Sequence, residues 1–185
     1  YGFQLGGPIV RDKLHIFLAP EFQTRNQPSS GPYLGAPAGT PGLIPADTIA
    51  RIRSIMQARG FDVGTAEQTT NENPLTNLFG RIDWQATGST RVVFRQLWNK
   101  AEQFEFSRTT GTFNASATPG TQFAGFRLGS SSFTRENKNQ STALQVFTNL
   151  ASGSSNEFSA AYNKISDVRI VPNAAPETTV WPASM

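Results

Sequence analysis

The stretch Leu75-Thr76-Asn77-Leu78-Phe79-Gly80-Arg81-Ile82-Asp83-Trp84-Gln85-Ala86 decides how the chain is read. In an extended backbone successive side chains point to opposite faces. Leu78, Gly80, Ile82, Trp84 and Ala86 therefore share one side, and Phe79, Arg81, Asp83 and Gln85 share the other. Thr87-Gly88-Ser89 then supplies a short polar turn, and residues 90–106 alternate again, with Val92, Phe94 and Trp98 opposing Arg91, Arg95 and Asn99. Two unlike-sided runs joined by a turn of this kind predict a β-hairpin.

The same unit recurs on either side. Residues 3–10 and 13–23 read as two strands separated by Arg11-Asp12, with Leu14, Ile16, Leu18 and Phe22 on one face and Lys13, His15, Glu21 and Gln23 on the other. Pro8 and Pro20 lack the N–H that a ladder needs, so each is expected at an edge, a bulge or a strand end. Residues 140–150 and 156–171 form the third pair, around Ser152-Gly153-Ser154-Ser155.

Between the hairpins the composition shifts to Pro, Gly, Ser, Thr and Asn, giving long loops at about 26–74 and 107–139. The first carries one helix, predicted over residues 47–59, with Asp47 as N-cap, Gly60 just past the end, and Ile49, Ile52 and Met56 on one face. That face is expected to cover part of its own loop or a rim, with binding to a membrane surface or a partner as the alternative.

Short turns on one side and long loops on the other match outer-membrane barrels better than soluble sandwiches, whose loops are short at both ends. Strands of ten residues or more also suit a tilted membrane span. The expected fold is all-β: an antiparallel transmembrane β-barrel segment of about six strands in three hairpins, with one loop carrying a short helix. Six strands fall short of the roughly eight that close a membrane barrel. Residues 1–185 are therefore expected to be a segment of a larger barrel, or else a module that oligomerises to complete a wall.

Composition sets the bounds. The 185 residues include no cysteine, which removes disulfides and thiolate metal sites, and 16% charged residues is below the roughly 25% of ordinary soluble domains. The 16 basic residues are scattered and the net charge is only +3, which argues against a nucleic-acid partner. No run approaches the ~20 apolar residues of a membrane-spanning helix, and the first residues do not read as a signal peptide.

The run Tyr1-Gly2-Phe3-Gln4-Leu5-Gly6-Gly7-Pro8-Ile9-Val10-Arg11-Asp12-Lys13-Leu14-His15-Ile16-Phe17-Leu18-Ala19-Pro20-Glu21-Phe22 resembles the beginning of the barrel in TonB-dependent outer-membrane receptors. It is most similar to the Oar-like group, whose members place a carboxypeptidase-regulatory-like domain and a plug first. Gly6, Gly7, Pro8, Ile9, Arg11, Asp12, Lys13, Phe17 and Glu21 carry the likeness, and Asn73-Pro74-Leu75 through Trp84 continues it. His15, Ile16 and Pro20 stand where that group more often has aromatic residues.

The resemblance implies that residues 1–185 are the N-terminal part of a TonB-dependent receptor β-barrel, with localisation in a bacterial outer membrane and energy-coupled uptake of a bulky solute. The implied partners are outer-membrane lipid, the plug, the remaining strands of a roughly 22-stranded barrel, the TonB complex and the solute. Arg81, Asp83, Arg91 and Arg95 share the polar face of neighbouring strands, where they would pair with one another, contact the plug or touch the solute. Pairing or plug contact is the favoured expectation.

Catalysis is not expected. His15 is the one histidine, flanked by Leu14 and Ile16 on a strand, and it provides no triad or zinc site. Gly6-Gly7 lacks the spacing of a phosphate loop. Asp47, Glu67, Asn71, Glu72 and Asn73 lack the spacing of a calcium hand. No cofactor or metal is expected. The glycosylation-type triplets at Asn114 and Asn139 arise readily by chance. The alternative from another class is a secreted or surface β-domain that uses the same long loops for binding or adhesion.

Overall fold

A computed structural model describes residues 1–40, 42–108, 125–171 and 178–180. The strands are β1 (Leu5–Val10), β2 (Leu14–Pro28), β3 (Thr70–Gln85), β4 (Thr90–Glu105), β5 (Phe126–Arg127), β6 (Phe133–Asn149), β7 (Ser155–Ile170) and β8 (Thr179–Val180), with one helix, α1 (Ala46–Gln57). Six strands form one sheet in the order β1-β2-β3-β4-β6-β7, and β5 pairs with β8 in a second, two-stranded sheet. The chain divides into two compact units. One comprises Tyr1–Arg25, Asn73–Glu102 and Glu136–Val168, and the other Asn26–Glu72, Gln103–Arg135 and Arg169–Met185.

In the first unit the three expected hairpins are present. The first turn closes through the Lys13 N–H donating to the Val10 carbonyl at 3.0 Å, with Asp12 at φ 58°. Asp tolerates this left-handed conformation better than most residues. The third turn runs from Leu150 to Ser154 and uses Gly153 at φ 80°. Neighbouring hairpins are stitched turn to turn, since Gln85 N–H donates to Lys13 C=O at 2.7 Å and Asn149 N–H to Ser89 C=O at 2.9 Å. All three turns thus lie at one end of the sheet, and the long connections 29–69 and 106–132 join strand ends remote from them.

Pro8 and Pro20 obey the rule that a ladder cannot use prolines as donors. Pro8 sits in the edge strand β1 beside a register shift between Pro8 and Val10. Pro20 accepts from Phe3 N–H at 3.2 Å but has no N–H to return, so the β1–β2 ladder breaks there and resumes as an isolated Gly2–Glu21 bridge.

Several boundaries differ from the sequence expectation. β2 runs on to Pro28, β3 begins at Thr70 and β6 begins at Phe133. The first long loop is therefore shorter than 26–74 and the second ends before residue 139. Polar stretches become strand because charge pairs and side-chain bonds reward them there. Glu136 meets Lys100 at 3.2 Å and Lys138 at 2.6 Å, Arg135 meets Glu105 at 3.6 Å, and Asn71 Nδ2 donates to Phe106 C=O at 3.2 Å. The triplet at Asn114, the core of the second loop at 109–124 and the last residues 181–185 lie outside the described residues.

The second unit has its own hydrophobic core: Ile44, Ile49, Val63, Ala66, Phe126 and Leu128, with Leu34, Ile52, Met56 and Val180 packed against it. The apolar face of α1 supplies Ile49, Ile52 and Met56, so the helix covers its own loop as its periodicity implies. Its start is Pro45 rather than Asp47. Asp47 Oδ1 instead accepts from the adjacent Thr48 N–H at 2.8 Å. Gly64 and Gly129 approach so closely that a Cβ on Gly129 would lie 2.7 Å from the Thr65 nitrogen, and Gly64 has φ 73° besides.

Candidate functional site

The β3–β4 register places Leu78 opposite Trp98, Ile82 opposite Phe94 and Trp84 opposite Val92. Facing residues of an antiparallel pair share a side, so one side collects the apolar residues. Leu18 joins them, its Cδ2 lying 3.5 Å from where a Gly80 Cβ would stand. Leu144 belongs to the same side by strand parity, because Thr142 on that side bonds Gln96 at 2.7 Å. Phe158 and Tyr162 follow in β7, since Gln145 and Glu157 meet on the opposite side.

This apolar side is the exposed one. Leu78, Ile82, Trp84 and Phe94 retain 41%, 42%, 49% and 37% of their accessible surface. On the other side of β3, Asn77, Phe79, Arg81, Asp83 and Gln85 are all half-buried, and Val93 opposite Asp83 is 3% exposed. A half-solvated soluble sheet has the reverse arrangement, apolar side covered and polar side wet.

The polar side is knitted together strand by strand. Asn77 Nδ2 donates to Glu21 Oε2 at 3.0 Å, and Asn99 Nδ2 donates to Asn77 Oδ1. Arg81 grips Asp83 with two bonds, Nε to Oδ2 at 2.6 Å and Nη2 to Oδ1 at 2.8 Å. Arg95, directly opposite Arg81, donates instead to Gln145 Oε1 at 2.8 Å, and Gln145 donates to Glu157 at 3.2 Å. Arg91 lies over the Phe147 ring, 4.9 Å from its centre. Near the turns, Asp12, Lys13, His15, Asp83, Gln85 and Arg91 line a recess of about 360 Å³. Of the four polar-side residues singled out in the sequence, Arg81 and Asp83 pair, Asp83 and Arg91 share the recess, and Arg95 bonds an amide.

Along the apolar side the chemistry changes with height. Val92 and Trp98 are six residues apart on β4, about 20 Å at ~3.4 Å per residue. Trp84 therefore marks one margin of an apolar band, and Trp98 the other. Tyr1 stacks on Phe22 at 5.4 Å on the same side. Past Trp98 the residues turn charged: Lys100 meets Glu102 at 2.5 Å and Glu136 at 3.2 Å, and Glu136 also holds Lys138.

In the second unit a site that sequence reasoning missed centres on Arg108, whose accessible surface is 0%. Its Nη1 donates to the Thr65 carbonyl at 2.8 Å and the Arg127 carbonyl at 3.1 Å, and its Nη2 to the Glu67 carbonyl and, at 3.4 Å, Thr69 Oγ1. The guanidinium also lies over the Phe106 and Phe126 rings at 4.7 and 5.4 Å. Burial pushes its pKa down to about 10. Glu67 moves down too, to about 2, held by the Thr65 hydroxyl, backbone N–H groups and Arg53. One arginine in a loop carries no sequence signal that it will be buried.

Among the described residues no group of three His, Asp or Glu side chains is placed to hold a metal ion, and no helix is long and apolar enough to cross a membrane. The chain matches no family model, no curated protein and no solved structure.

Proposed function

We propose that this chain is wall of an outer-membrane β-barrel, the first six strands of a TonB-dependent receptor of the Oar-like group, which takes up a bulky solute. The observation that carries the reading is the inversion along β3: Leu78, Ile82 and Trp84 on the apolar side are exposed, while Asn77, Phe79, Asp83 and Gln85 on the polar side are half-buried. Lipid in place of water on the apolar side, and a polar lumen on the other, account for both halves of that pattern. β3 and β4, at 16 residues each, exceed the roughly 9–11 residues with which a tilted strand crosses a membrane, and Trp84 and Trp98 on their apolar side suit aromatic girdles.

The two sheet edges, β1 and β7, fit the same reading. Backbone groups at an open edge in hydrocarbon are costly, so further strands of the barrel would pair with them. The sequence resemblance supplies the remaining particulars of family, energy coupling and bulky cargo. On this reading the protein works as a gated transporter, and the polar recess near the turns is available to plug or solute.

These 185 residues hold no cysteine, so an introduced thiol is the single one of the segment. The R81C and I82C variants, assembled in outer-membrane vesicles, are treated with a charged, water-soluble maleimide. Labelling at position 81 with protection at position 82 is the expected result. Equal labelling of both, in a protein that stays dispersed without detergent, overturns the membrane reading in favour of a soluble binding domain.

A further inference from the structure

On the apolar side of the sheet, past the Trp98 level, Trp98, Lys138, Asn139, Gln140, Lys164 and Ser166 line a groove of about 210 Å³. Trp98, Lys138, Gln140, Lys164 and Ser166 have the parity of the lipid side assigned above. The groove therefore opens at the upper margin of the apolar band, where Leu144, Phe158 and Tyr162 continue downward as exposed hydrocarbon surface.

Its charge is unbalanced in a specific way. Lys100 is paired with Glu102 at 2.5 Å and with Glu136 at 3.2 Å, and Lys138 with Glu136 at 2.6 Å, so these two ammonium groups and two carboxylates balance one another. Lys164 is exposed and, among the described residues, forms no ion pair. It lines the groove together with Gln140 and Ser166, whose amide and hydroxyl can both donate to an anion.

We infer that this groove binds the phosphate of a lipid headgroup, with Lys164 on the phosphate oxygens, Gln140 and Ser166 donating beside it, and the acyl chains lying on Leu144, Phe158 and Tyr162. The assignment rests on the membrane reading of the sheet. A phosphate brings the negative charge that Lys164 lacks, and only a lipid phosphate brings chains that cover the band below. Basic residues at a membrane surface contribute to anionic-lipid binding in this way.

The test uses the whole polypeptide that carries this chain, purified in neutral detergent. It is titrated with dihexanoyl phosphatidate, with the matched phosphatidylcholine and with inorganic phosphate, and bound ligand is counted by native mass spectrometry. Phosphatidate should bind tightest. Lys164→Gln should weaken it about fivefold, Lys164→Arg should retain it, and Arg11→Gln, in a turn away from the groove, should leave it unchanged.

Inorganic phosphate binding as well as phosphatidate would overturn the lipid source. No effect of Lys164→Gln, or equal binding of phosphatidylcholine, would overturn the site. The membrane reading is scored separately, by the share of brominated-phosphatidylcholine quenching that is lost in a Trp84→Phe variant. Quenched Trp84 with Lys164-independent binding sinks the groove alone. Unquenched Trp84 sinks the membrane wall, and with it the lipid as occupant.

Discussion

Arg81 and Arg95 stand directly opposite each other in the β3–β4 ladder, on the same side of the sheet. Like charges in that relation repel. Two contacts accommodate them: the Asp83 carboxylate two residues along β3 neutralises Arg81 in a two-point bond, and Arg95 turns to the Gln145 amide oxygen.

Replacing Asp83 by Asn should therefore expose the repulsion. The Arg81 side chain is 41% exposed, so the expected loss is the modest one of solvent-screened pairs, about 0.5–1 kcal/mol. Adding Arg95→Gln to Asp83→Asn should recover part of it. Urea midpoints of the two single variants and the double variant, in one detergent, measure the coupling, and strict additivity would show that the two arginines do not interact.

Ile82 and Arg81 are neighbours in sequence with opposite surroundings. Ile82→Arg places a charge on the apolar side and should impair assembly by about 2–4 kcal/mol if that side lies at mid-membrane depth, whereas Arg81→Ala should be far milder. The fraction of protein reaching its folded, heat-modifiable form on a gel is the readout. Equal effects would refute the assignment of the two sides.

Arg108 closes the loop unit by satisfying the carbonyls of Thr65, Glu67 and Arg127 at once. Arg108→Ala strands those acceptors in a buried site, and each hydrogen bond to a charged group is worth about 1.5–3 kcal/mol. Arg108→Lys should restore little, because one ammonium cannot reproduce the planar fork. Hydrogen exchange of amides in residues 29–69 should accelerate strongly in both variants. Unchanged exchange would mean that the core around Ile49 and Phe126 holds the unit without it.

The pH response of the same unit follows from Glu67. Its folded pKa of about 2 lies below the ordinary value of 4.5, so the native state favours the charged form. Its stabilising contribution is complete above the unfolded value and is lost as pH falls through about 4.5 towards 2. Proteolytic susceptibility of the segment around Thr65 should rise over that interval. Glu67→Gln should flatten this dependence, and a variant that keeps the wild-type profile would assign the acid response to other groups.

The strand reading was legible where alternation was strong. Leu78, Ile82 and Trp84 against Arg81 and Asp83 define two faces, and the registers of β3 and β4 keep them apart. Turn chemistry at Gly153, and the ladder break at Pro20, could also be anticipated because glycine and proline act locally. The extra lengths of β2, β3 and β6 could not. Their polar ends are held by partners distant in sequence, such as Glu136 with Lys100. The β5–β8 pair joins Phe126 to Val180 across more than fifty residues, and two-residue strands carry no period to detect.

The amino-acid sequence by itself determined that this is an antiparallel β protein of three tight hairpins with unlike strand faces, because periodicity and turn residues are properties of neighbours along the chain. Alternation is the same whether the apolar face is covered or bare. Only the tertiary structure decided that the apolar face is the uncovered one, that Arg108 is entirely buried, and that Lys164 ends beside Trp98 and Gln140. Those facts depend on which strands become neighbours and in what register, and on which groups the packed chain removes from solvent.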